Sequence, residues 1–393
     1  MFKLKTILAV FLLLECSFHL HAQEQHWTGT WATAVEWAGG SDLPKTDMAG
    51  KTLREVIHTS ISGTRLRMKL SNEFSRKPVE IKSVYIALAG DSNRIVPKSA
   101  VYLRFEGKKN ILIAPGKAIY SDPFTFILPK LASLSVTITY GKEVPEHLTS
   151  HRGSRTTSYI AENMVRPKDK FNTVEKLDHW YTIAQLEVLA ASNVHAVAVL
   201  GNSITDGRGS TTNLQNRWPD CMAENLDGCY GVLNLGIGGN CVVQGGLSEP
   251  ALQRFDRDIL GQKGVDKLII FEGTNDIGIS RTNYEHVADT LIASYKILIA
   301  KAKAKGIKVY GATITPVKGN NWYSFFHEAI RETVNMWIRT SGAFDGIIDF
   351  DQLVRDEKDP QRLKKEYSDD WLHLNPKGYE VMGQYAAKII QKQ

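Results

Sequence analysis

The sequence predicts an α/β protein in two parts, a β-sandwich or jelly roll over residues 23–190 and a parallel sheet covered by helices over residues 191–393. Three observations predict it. Apolar and polar residues alternate with period two between Trp27 and Tyr140, whereas after about residue 190 short apolar strands alternate with amphipathic stretches. At 393 residues the chain also exceeds what one core usually serves.

Residues 1–22 read as an export signal rather than as part of either unit. Lys3 and Lys5 make a basic start, Ile7 to Leu14 an apolar run too short to span a bilayer, and Leu20-His21-Ala22 ends on a small residue. The mature protein is therefore expected to be secreted or periplasmic. Cys16 suggests a lipid anchor, but Glu15 stands where such sites want a small residue.

Composition narrows the function classes. Apolar content of 43% and charged content of 23% are those of a folded domain, which argues against disorder. The formal net charge of +6 falls by one when Lys3, Lys5 and Glu15 leave with the signal, and no basic stripe with interleaved aromatics follows. A nucleic-acid partner is not expected, nor is a membrane span, since no later stretch approaches about 18 apolar residues. Cys221, Cys229 and Cys241 are an odd set with no disulfide framework, leaving a Cys221–Cys229 bridge and unpaired thiols both open.

In the first part, Leu66, Met68 and Leu70 alternate with Arg65, Arg67 and Lys69. Similar runs follow at Val79/Ile81, Val84/Ile86/Leu88, Val101/Leu103/Phe105 and Leu134/Val136/Ile138/Tyr140. Turn clusters such as Gly90-Asp91-Ser92-Asn93 and Ala114-Pro115-Gly116 separate them. In the second part, strands are expected at Val194–Leu200, Val232–Leu235, Leu268–Phe271, Ile307–Ile314 and Gly346–Phe350. Between the third and fourth, Tyr284 to Lys305 predicts a helix with Val287, Leu291, Tyr295, Ile297 and Ile299 as its apolar face, stopped by Gly306. The segment His151 to Tyr181 is expected along the junction of the two parts.

Sites in open parallel sheets lie beyond the carboxyl ends of the strands, and four short segments fall there. GNSITDG places Ser203 at a strand-to-loop corner, where the hydroxyl is exposed and its own N–H can meet a developing oxyanion. GIGG offers Gly239, whose backbone N–H can approach closely for want of a Cβ, and GTND offers the Asn275 amide. DWLH sets Asp370 three residues before His373, so the carboxylate can fold back onto Nδ1 and leave Nε2 to take the serine proton. Asp369 is at the wrong spacing for that role. Together these are a nucleophile, a base, an acid and oxyanion donors: Ser203, His373, Asp370, and the Ser203, Gly239 and Asn275 donors.

These residues resemble the SGNH (GDSL-type) hydrolases, whose four signature blocks match across about residues 194–393. The resemblance implies a flavodoxin-like α/β/α fold and esterase activity, with Ser203, Gly239, Asn275 and His373 as the name-giving residues and Asp370 as the triad acid. TWATA at 30–34, TLREVIHTSISG at 52–63 and RLRMKLSN at 65–72 look like the β-rich N-terminal domain of a subgroup that includes enzymes encoded beside plant-polysaccharide degradation systems. One departure stands out: the first block reads GNS, so Asn202 replaces the usual aspartate and removes a charge.

No metal or cofactor is expected, because no HExxH, paired CxxC, Walker loop or dinucleotide fingerprint occurs. The expected function is an exported carboxylic ester hydrolase that removes short acyl groups, acetyl foremost, from a carbohydrate. Trp218 and Trp322 are candidates for lining the sugar side, with Tyr323 next to the latter. The rivals are an arylesterase or lipase with the same centre, and a carbohydrate-binding protein whose hydrolase fold has lost activity.

Overall fold

The computed structural model describes residues 24–392, so the export-signal expectation for residues 1–22 lies outside the described residues. The first half is antiparallel throughout. One five-stranded sheet is built on Gln25–Ala32, Ile183–Ala191, Gly63–Asn72 and Lys117–Tyr120, with Phe124–Leu128 also pairing on Gly63–Asn72. A seven-stranded sheet is centred on Thr52–His58, Ser133–Tyr140 and Val79–Leu88. The two share one apolar core, to which Leu66, Met68 and Leu70 contribute from the first sheet and Leu53, Val136 and Ile138 from the second. That sharing makes a sandwich, and the predicted alternation is its cause: every second side chain of a strand reaches the same face.

One predicted run is shorter than its pattern. Val101–Tyr102 is a strand, but Leu103 and Phe105 reach the core from irregular chain. Asp122 accepts hydrogen bonds from the N–H groups of Glu106 and Gly107, both at positive φ, and this tight turn ends the pairing.

The second half is a five-stranded parallel sheet of His195–Gly201, Tyr230–Gly236, Val265–Phe271, Lys308–Ala312 and Gly346–Ile348, in the spatial order second, first, third, fourth, fifth. That is the flavodoxin order, with its crevice at the carboxyl ends of the central strands. Side chains alternate between two helical layers. Ala196, Ala198 and Leu200 join a core with the helices Tyr284–Lys303 and Phe325–Thr340, while Val197 and Val199 join one with Trp218–Glu224 and Pro376–Gln391. On the long helix, Leu291, Tyr295, Leu298 and Ile299 face inward. Ile297 was expected on that face but is 51% exposed, because it sits two residues, about 200° of rotation, beyond Tyr295.

The halves are joined by more than the short link between Ala191 and His195. The backbone N–H of Gly29 donates to Lys263 O at 3.0 Å, and the N–H of Val232 donates to the Ser60 hydroxyl at 2.9 Å. Ala32 and Ala34 are part of the core beneath the parallel sheet. The edge strand Tyr230–Gly236 is thereby covered by Gln25–Ala32 rather than left open. Among the described residues, no helix is long and apolar enough to cross a membrane. Cys221 and Cys241 are buried and Cys229 exposed, all three unpaired, so the candidate Cys221–Cys229 bridge is not formed.

Candidate active site

Ser203 stands one residue past the first parallel strand and opens a one-turn helix, Ser203–Asp206. Asn202 caps that turn, its Oδ1 accepting from the Ile204 N–H at 3.1 Å. The DWLH loop arrives from the far end of the chain. Ser203 Oγ lies 2.8 Å from His373 Nε2, and His373 Nδ1 lies 2.7 Å from Asp370 Oδ2. Asp370, not Asp369, carries the carboxylate at this distance, and its other oxygen accepts from the N–H groups of Leu372 and His373.

The loop achieves this through residues that no motif marks. Trp371 sits at φ 63°, a left-handed conformation that is strained for a bulky side chain. It is held there by the guanidinium of Arg362 and the ammonium of Lys365, 5.0 Å and 4.9 Å from its ring. Ser368 accepts from the Trp371 N–H and donates to His373 O at 2.7 Å, and Asn320 donates to Asp370 O at 2.9 Å. The local turn is thus fixed from both sides.

The electrostatics agree with a neutral base and an ionised acid. Burial lowers the His373 pKa and outweighs the opposing hydrogen bond and charge of Asp370, while the positive charges of Arg208 and Arg155 push it the same way as burial. Burial alone would raise Asp370, but the hydrogen bonds from the His373 ring and from the two backbone N–H groups hold it below the usual carboxylate range. His373 is then free to accept a proton near neutral pH.

Gly239 and Asn275 line the same cleft of about 660 Å³ as Ser203 and His373. Gly239 has φ 71°, a conformation that favours glycine, and a Cβ there would lie 2.9 Å from the tip of the Leu247 side chain. Among the described residues, neither the Ser203 nor the Gly239 N–H has a protein acceptor, and Asn275 uses one amide hydrogen on Asn240 O at 2.6 Å. Asp276 pins the loop that carries Gly239 by accepting from Val242 N–H at 2.9 Å and Val243 N–H at 3.1 Å. Burial pushes its carboxyl up to about 6 against those two bonds.

Trp322 borders the cleft, half-buried, with its N–H bonded to Asn320 Oδ1 and its ring lying over Gly278. Trp218 does not. It is fully buried, edge-on to Phe350 at 5.3 Å and Phe271 at 6.3 Å, and belongs to the core that the sheet shares with the helix Pro376–Gln391. The sugar-lining expectation for Trp218 is therefore corrected: the residue opens the helix Trp218–Glu224, and its ring points at the apolar strand residues instead of the crevice. Tyr323 turns aside to donate to Gln361 at 2.6 Å.

One wall of the cleft comes from the β-rich half. Arg152, Gly153 and Arg155 follow the strand Thr149–His151 and border the same space as Ser203. Asp206, at the end of the Ser203–Asp206 turn, anchors this segment by accepting from His151 Nε2 at 2.9 Å and Arg155 at 2.7 Å. His151 Nδ1 lies 2.9 Å from Ala34 O, so both ring nitrogens are placed as donors. Burial disfavours its charge, but the Asp206 bond and the charges of Asp206 and Glu36 prevail and raise its pKa. A Cβ on Gly153 would lie 2.0 Å from Asp206 Oδ2. Only glycine fits.

Residues 199–381 match the family model described as GDSL-like Lipase/Acylhydrolase. The second half of this chain is a GDSL-like acylhydrolase domain. It is preceded by a β-rich region that the match does not include. Several solved structures are similar to it. A GDSL-like lipase from Bacteroides thetaiotaomicron is 22% identical, with a TM-score of 0.39, over 50% of this chain and 88% of that one. Est24, a carbohydrate acetylesterase from Sinorhizobium meliloti, is 17% identical, with a TM-score of 0.40, over 50% and 99%. A family two carbohydrate esterase from Clostridium thermocellum, in complex with cellohexaose, is 12% identical, with a TM-score of 0.39, over 91% and 98%. No curated protein matches the chain. The acylhydrolase domain carries its Ser203–His373–Asp370 chain of contacts beside a groove whose β-derived wall lies outside the family match.

Proposed function

We propose that this protein is an exported serine esterase that removes short acyl groups, acetyl foremost, from a carbohydrate. The observation that carries the proposal is the continuous contact from Ser203 Oγ through the His373 ring to Asp370, at 2.8 Å and 2.7 Å, opening into the cleft. Ser203 attacks the ester carbonyl while His373 takes its proton, and Asp370 orients the ring and steadies the imidazolium. The N–H groups of Ser203 and Gly239 and the Asn275 amide hold the oxyanion. His373 then protonates the leaving alcohol, and water clears the acyl-enzyme by the same route in reverse.

The cleft lining supports a sugar as the alcohol. Trp322 offers an aromatic face, while Asn320, Asn321 and the arginines offer hydrogen bonds around it. The test is a series of aryl esters from two to twelve acyl carbons together with acetylated oligosaccharides. A preference for acetyl esters with acetate release from the oligosaccharides is expected, and loss of that release in Ser203→Ala. Highest activity on long chains would favour the lipase reading. Wild-type rates from Ser203→Ala would refute the mechanism.

A further inference from the structure

Three arginines border the cleft, and they differ in what they are already bonded to. Arg152 donates to Glu36 at 2.6 Å and has Asp42 at 3.8 Å, and Arg155 is bonded to Asp206. The remaining acid of the cleft, Asp370, is engaged by His373. Arg208 is different. Its guanidinium is exposed and, among the described residues, forms no ion pair and no side-chain hydrogen bond. Yet its backbone is fixed on both sides, the N–H donating to Ser203 O at 2.9 Å and the carbonyl accepting from the Tyr379 hydroxyl at 2.5 Å. A free guanidinium on an anchored root, beside the nucleophile, is placed to meet something that arrives.

We propose that Arg208, with Arg155 bordering the same cleft, forms a subsite for an anionic group, carboxylate or sulfate, on the sugar portion of the ester. The inference rests on the esterase reading above and names its substrate class: an acylated acidic sugar. A planar guanidinium matches a carboxylate or sulfate edge with two parallel N–H donors, which a neutral hydroxyl cannot use as fully. The position fits the alcohol side. The leaving oxygen must approach His373 Nε2 to collect its proton, and Arg208 and Arg155 are near enough to His373 for their charges to weaken its basicity. That weakening is a standing disadvantage for a general base. A bound anion offsets that part of the lowering, while burial, the larger cause, remains.

The test compares the wild type and Arg208→Ala on three acetylated sugars of one backbone: a hexuronate, its neutral methyl ester, and a sulfated counterpart. The readout is the ratio of kcat/KM for charged over neutral substrate, in which general effects on catalysis cancel. The wild type is expected to favour a charged form by about tenfold or more. Arg208→Ala should bring the ratio towards one, mainly through KM, and Arg208→Lys should restore part of it. The carboxylate and sulfate arms identify the anion. A wild-type ratio near one, or a ratio unaltered in Arg208→Ala, overturns the proposal while leaving the esterase reading intact. Absence of acetate release from all three would instead remove the carbohydrate-esterase reading on which the subsite rests. Calorimetric titration of Ser203→Ala with the free hexuronate and its methyl ester checks the subsite without catalysis, and equal affinities there also overturn it.

Discussion

Asn202, the residue before Ser203, donates its side-chain amide to the buried carboxyl of Glu272 at 3.3 Å. Burial pushes Glu272 up to about 8, with Arg254 opposing and Asp276 adding to the rise. The asparagine that breaks the usual GDS pattern therefore faces a carboxyl, where an aspartate would set two acids together. Asn202→Asp should be tolerated below about pH 7, where the pair shares a proton, and lose about 1–3 kcal/mol as both ionise above pH 8. Thermal melts of both proteins from pH 6 to 9 check it, and parallel curves would count against the pairing.

Glu272 also contributes to the slope of stability with pH. Its folded pKa, about 8, lies above the unfolded value, so the native state binds the extra proton and stability is greatest below the unfolded pKa, falling as pH rises towards 8. Glu272→Gln removes that contribution. Its melting temperature should gain on the wild type between pH 6 and 9, whatever the absolute difference at pH 6.

The acid limb of kcat/KM should report His373. Because burial lowers its pKa, the midpoint is expected below the ordinary histidine value of about 6.5, with activity lost as pH falls through it. Removing the orienting carboxylate in Asp370→Asn should lower kcat by about 10³–10⁴. A midpoint above 7 in the wild type would contradict the burial.

Asn275→Ala tests the oxyanion donor. A fall in kcat of about 10²–10³ with little change in KM is expected, since the amide acts on charge that develops only in the transition state. The hydrogen bond to Asn240 O is lost too, so a melting curve should accompany the kinetics.

Gly153→Ala probes the β-derived wall. The added methyl would overlap the Asp206 carboxylate, and a loss of about 1–3 kcal/mol is expected together with reduced kcat/KM. Unchanged stability and activity would mean that the loop moves aside at no cost.

How much of this was legible in the sequence depends on how local each feature is. The five parallel strands and the Tyr284 helix are written in neighbouring residues, and so are Asp370 and His373, three positions apart on one turn. Trp218 misleads because an aromatic ring carries no sign of which layer it will join, and only the packing with Phe271 and Phe350 decides. The contacts of His151 and Arg155 with Asp206 span 55 and 51 residues and cross from one half to the other, so no periodicity reveals them. Trp371 is hidden for another reason: its strained backbone is imposed by Ser368, Arg362 and Lys365, and tryptophan itself gives no hint of it.

The wall formed by Arg152, Gly153 and Arg155 has an evolutionary consequence. Its roots are in an antiparallel sheet and its tip is in the cleft, so the two halves are not interchangeable cassettes. A recombinant that kept the acylhydrolase half and borrowed a foreign β region would inherit the nucleophile with a breach in its pocket. Selectivity, by contrast, can drift by small changes in that one loop while the chemistry of Ser203 stays untouched.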